Sequence, residues 1–138
     1  MMTLLARTVL AAVPLTAVLA VAGAAPASAH ERRTVGAYNF AVGWGDEPAY
    51  TAFKNSVQVT VTEANGGAAV TDIADGLTVE VSKGADKVKL PIVANFRVGA
   101  FGTPGDYRAW VTPTRPGSYA FHFTGTIRGQ AVDASFTS

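Results

Sequence analysis

From residue 35 onward, apolar and polar positions alternate with a period of two, the pattern of strands that bury one face. In 35–44 the apolar set is Tyr38, Phe40, Val42 and Trp44, with Ala37, Asn39 and Ala41 between them. The stretch 56–63 sets Val57, Val59 and Val61 against Ser56, Gln58, Thr60 and Thr62, and 77–82 repeats the pattern with Leu77, Val79 and Val81. Lys87 and Lys89 alternate with Val88, Leu90 and Ile92; Pro91, which has no N–H to give to a ladder, predicts an edge strand there. Further on, Tyr107, Ala109 and Val111 oppose Arg108 and Trp110, and Tyr119, Phe121 and Phe123 oppose Ala120, His122 and Thr124. A last strand, 131–138, follows a turn at Arg128-Gly129-Gln130.

Glycine- and proline-rich clusters at Asn65-Gly66-Gly67, Ser82-Lys83-Gly84, Gly102–Gly105 and Arg115-Pro116-Gly117 separate these runs. The one helix candidate, 47–54, is short and has no apolar stripe. About seven short strands without a helix predict an all-β fold, an immunoglobulin-like antiparallel β-sandwich. The disulfide of that type is absent because the chain has no cysteine. Gly105-Asp106-Tyr107 and Gly117-Ser118-Tyr119 each bring a tyrosine into a late strand, where its hydroxyl is expected to tie back to the backbone.

The first 29 residues break the pattern. Arg7 precedes an uncharged, mostly apolar run from Thr8 to Ala25, and Ala27-Ser28-Ala29 is a small-x-small cleavage site. This reads as an export signal at 1–29, cut after Ala29, followed by one domain at 30–138 that is secreted or held at the cell-envelope exterior. A retained anchor is the competing reading, since the run approaches spanning length; Pro14 and the Ala-x-Ala site favour cleavage. No second apolar stretch exists, so no stable membrane span is expected after processing.

Charge and composition narrow the function further. The chain holds 11 Lys+Arg against 10 Asp+Glu, and the loss of Arg7 leaves a neutral domain. Such a domain lacks the basic footprint that nucleic-acid binding needs. Without cysteine there are no thiolate nucleophiles, redox pairs or sulfur-rich metal sites. No Gly-x-Ser-x-Gly elbow or His-Glu-x-x-His pair occurs. Gly99–Gly105 is glycine-rich, but Pro104 and the strand after it deny it the helix N-terminus of a phosphate loop. The carboxylates Asp46, Glu47, Asp72 and Asp75 sit in turn-like stretches where solvation is the ordinary fate. A non-enzymatic protein is expected.

Two histidines, His30 and His122, carry the remaining chemistry. Cleavage after Ala29 would give His30 a free α-amine beside its ring Nδ1, and these two nitrogens can chelate one metal ion. A second imidazole, His122, would complete the tetragonal nitrogen-rich set that copper(II) prefers. Both kinds of nitrogen can lose their protons near neutral pH. His30 stands five residues before the first expected strand at Val35, a tether of at most about 17 Å. The plain alternatives are that His30 is incidental to the cut and that His122 is a cross-strand polar residue.

The stretch from Pro116-Gly117-x-Tyr119 through Gly129, Val132 and Phe136, together with His30, resembles the CopC-type copper-resistance proteins and, more loosely, the YtkA-like exported domains. The resemblance implies a small secreted immunoglobulin-like sandwich whose N-terminal histidine binds copper(II). That family's hairpin carries Asp-Gly-His, whereas this chain has Arg128-Gly129-Gln130, so the implied site does not extend beyond His30. It would have to be completed by His122, or by Glu31 and Asp133. The other reading is a protein- or glycan-interaction module without a metal role. Arg108 and Trp110 would then present one sheet face, and Trp44 and Tyr50 would flank the 45–50 loop.

Overall fold

A computed structural model describes residues 29–138; the expected export signal lies outside the described residues, apart from Ala29. Among the described residues nine strands form: β1 (Glu31–Val35), β2 (Tyr38–Trp44), β3 (Asn55–Glu63), β4 (Leu77–Lys83), β5 (Asp86–Pro91), β6 (Val93–Ala94), β7 (Asp106–Val111), β8 (Ala120–Ile127) and β9 (Gln130–Thr137). They make a five-stranded sheet in the order β1-β2-β3-β7-β6 and a four-stranded sheet in the order β5-β4-β8-β9, every pairing antiparallel. Among the described residues there is no helix, and 47–54 is an irregular loop.

The alternating apolar residues face one another across the two sheets. Phe40 of the first sheet stacks on Phe136 of the second at 5.8 Å, and Trp44 meets Phe121 edge-on at 5.1 Å. Val57, Val59, Val61, Val79, Phe121 and Phe123 are all buried in this layer. Rings packed edge to face at such distances add to the area term of burial. Both expected tyrosine ties form: Tyr119 donates to Arg115 O at 2.9 Å, and Tyr107 donates to Val70 O at 2.9 Å.

Two departures from the alternation matter. The first strand begins at Glu31, not Val35; Gly36 and Ala37 form a turn, and Glu31–Val35 runs back along β2 with Glu31 opposite Val42. β1 has no apolar alternation to announce it. Backbone pairing holds it, together with Arg33, whose guanidinium lies 4.5 Å over the Phe136 ring and donates to Ser135 O. Glu31 also accepts a bond from Thr137 N, closing the seam between the sheets. The second departure is Val88, exposed on edge strand β5; that strand ends at Pro91, and the chain then crosses to the other sheet.

The register defines two poles. β1, β3 and β8 start, and β2, β7 and β9 end, at one pole, which also holds the 45–54 loop and Ser138. We call it the terminal pole. The turns at 36–37 and 128–129 and the 64–76 and 95–105 loops lie at the far pole.

Candidate functional site

Because β1 begins one residue later, His30 is not on a tether; its backbone is fixed at the terminal pole. Its ring lies on the outer face of the five-stranded sheet over Gly43, where a Cβ would come within 2.9 Å of the His30 ring carbon Cγ. The outward positions of β2 read Ala41, Gly43 and then Gly45 just past its end, a small-residue floor. At Gly45 a Cβ would collide with Arg108 Nη1 and Ser56 Oγ, so this glycine gives Arg108 its bed.

A chain of hydrogen bonds crosses this floor. Gln58 Nε2 donates to Asp106 Oδ1 at 2.8 Å, and Asn95 Nδ2 donates to Asp106 Oδ2 at 2.9 Å. Arg108 sits 3.4 Å from Asp106 Oδ2 through Nη2, and its Nη1 donates to Ser56 Oγ at 3.3 Å. The Asp106 and Arg108 side chains are only 9% and 15% exposed, so the pair is largely desolvated; Arg108 bonds through Nη1 and Nη2, while its buried Nε has no hydrogen-bond partner. On the other side, Gln58 Oε1 lies 3.0 Å from His30 Nε2.

This chain sets the tautomer of the neutral His30 ring. A carboxylate only accepts hydrogen bonds, so Gln58 turns its NH2 to Asp106 and its oxygen to His30. The His30 nitrogen facing that oxygen must therefore carry the proton. In the neutral ring the lone pair is left on Nδ1, and Nδ1 points to the Glu47 carboxylate, 3.8 Å away. Glu47 is placed by a loop whose base is pinned: Asn55 accepts from Asp46 N at 3.0 Å and donates to Asp46 O at 2.9 Å. Beside it, an open cleft of about 460 Å³ is lined by Ala29, Trp44, Glu47, Pro48, Ala49 and Ser138. A larger groove, about 610 Å³, runs instead along β1, β2 and β3 past Arg32, Thr34, Asn39 and Thr60 and includes none of these ligand candidates.

His122 is elsewhere. It lies on the outer face of the four-stranded sheet, opposite Glu80 and Ser135, with Nε2 2.6 Å from Asp133 Oδ1. The core separates that face from the one carrying His30, so the structure does not bring the two imidazoles together. Glu31 and Asp133 are engaged with Thr137 N and His122. Arg128 of the β8–β9 turn is at the far pole, held by Asp72 at 3.0 Å and Glu63 at 2.8 Å. The Arg128 hydrogen bond lowers the Asp72 carboxyl below its ordinary range against an opposing effect of burial, and the carboxylates of Asp72 and Glu63 raise Arg128.

Among the described residues, no three His, Cys, Asp or Glu side chains converge as a metal-holding group. The side-chain donors at His30 are its own Nδ1 and Glu47, and a third would have to come from the His30 α-amine. Sequence reasoning set Glu47 aside as a solvated turn carboxylate and gave Gln58, Asn95 and Asp106 no part in a site. The signal available for them was the Gly43-x-Gly45 pair on the outward face of a strand, which leaves room for large neighbours to lie flat.

Comparison of the chain with protein-family models, with curated proteins and with solved structures returned no match.

Proposed function

We propose that the chain is an exported, non-enzymatic sandwich of immunoglobulin-like type that binds copper(II) at the N-terminus made by cleavage after Ala29, to hold or pass the ion without transforming it. The observation that carries this reading is the Asp106–Gln58–His30 chain, which keeps the proton on Nε2 and leaves the Nδ1 lone pair for a ligand. Nδ1 is the ring nitrogen that closes a six-membered chelate with the α-amine of the same residue. Glu47, 3.8 Å from Nδ1, would add a carboxylate oxygen, and a mixed nitrogen–oxygen set suits copper(II) in tetragonal geometry. Gln58 and Asp106 would serve as the outer groups that orient the imidazole and fix its tautomer. His122, on the opposite sheet, has no part in this site.

The test is a copper(II) titration of the exported protein, with its N-terminus established by mass spectrometry, beside a variant carrying one extra glycine before His30. One-to-one binding that the extra residue abolishes is the expected result. Equal, weak binding by both would leave His30 incidental. The interaction-module reading has one observation of its own: Tyr50 and Trp110 stand exposed at the terminal pole.

A further inference from the structure

Tyr50, Phe53 and Trp110 are 63%, 70% and 50% exposed, and all three lie at the terminal pole. They are held in place. Tyr50 and Phe53 meet edge-on at 6.2 Å, and Ala52 between them takes a left-handed φ of 67° while donating to Pro113 O at 2.8 Å. Few non-glycine residues adopt that conformation, and here it turns the loop so that both rings point away from the core. Lys54 lies with its ammonium 4.8 Å over the Trp110 ring. Tyr50 and Trp110 carry a polar edge on an apolar ring, and such rings, here beside Phe53 and a lysine, are the composition that settles at a membrane–water interface.

The chain's path indicates which surface this patch meets. Ala29 lines the cleft beside Glu47, Pro48 and Ala49, and Ala49 is followed directly by Tyr50. The apolar run Thr8–Ala25 therefore ends four residues from this pole, a reach of at most about 14 Å. While that run is in a bilayer, the pole is confined to the headgroup region or just above it. The far pole also exposes Val98 and Phe101, but no chain end brings a membrane to it.

We propose that the Tyr50–Phe53–Trp110 patch seats in the headgroup layer of the lipid bilayer that holds the apolar run. This seating belongs to the uncleaved chain and ends with the cut after Ala29 on which the copper reading rests; it holds whether or not copper binds. The full chain would be reconstituted in vesicles of equal parts phosphatidylcholine and phosphatidylglycerol, with plain or brominated acyl chains, and its tryptophan emission compared. The chain has two tryptophans, and Trp44 is buried, so quenching by bromine reports Trp110. Trp110 emission should be lower in the brominated than in the plain vesicles, as for an indole at the interface. The Trp110→Phe variant should show no quenching, while retaining Trp44 emission as a check of the fold. The double variant Tyr50→Ser/Phe53→Ser should be quenched much less than the parent, and Phe101→Ser at the far pole should match it. Equal emission in both kinds of vesicle, or equal quenching of the parent and the double variant, would overturn the proposal and leave the patch to a protein or glycan partner.

Discussion

Gln58 offers the two ends of its amide to Asp106 and His30, and no charged residue could do both. In Gln58→Leu the bulk would remain, but nothing would tell His30 which nitrogen to protonate. Copper(II) affinity should then fall about 10–100-fold, the usual effect of losing a group that orients a ligand. Titration of Gln58→Leu beside the parent checks this, and unchanged affinity would detach the hydrogen-bonded chain from the site. Alternation along β3 correctly put Gln58 outward. It could not say what Gln58 touches, because contact between outward side chains depends on strand register, and a one-residue slip would turn every such residue to the other side.

Among elements, the strands with an apolar face were the legible ones. β3, β4, β7 and β8 follow their periodicity closely, and Pro91 marks an edge as its missing N–H requires. β1 was illegible because an edge strand of Glu31, Arg32, Arg33 and Thr34 has no buried side to announce. Its charges suit an edge, since they discourage pairing with another chain. This missed strand also hid the placement of His30, which depends on where β1 starts. At the far pole, Arg128 links the β8–β9 turn to Asp72 and to Glu63 at the end of β3. Asp72 is depressed by that contact, so its stabilising contribution is present above the unfolded value near 3.8 and is lost as pH falls through the lower folded value. Asp72→Asn should therefore be less stable than the parent at neutral pH, with the gap closing in acid below 3.8. Urea unfolding across that range measures it. The effect should be small and reduced by salt, as both groups are exposed; a gap that persists in strong acid would contradict it.

For the molecule as a whole, Ala29 and Ser138 line the same cleft, so the first described residue and the last are neighbours. A short linker could therefore join position 138 to His30, with new ends opened between Gly66 and Gly67 in an exposed turn at the far pole. Chains whose ends are close tolerate such circular permutation well, and every strand pairing would survive it. The permuted protein should show the parent's circular dichroism and a similar unfolding midpoint, yet His30 would now have a peptide nitrogen where a chain cut after Ala29 would have an amine. Copper(II) binding should disappear while the sandwich stays intact; binding retained by the permuted protein would mean that the amine is not a ligand. On this view the β-sandwich is indifferent to where its chain begins, whereas the proposed metal site is not.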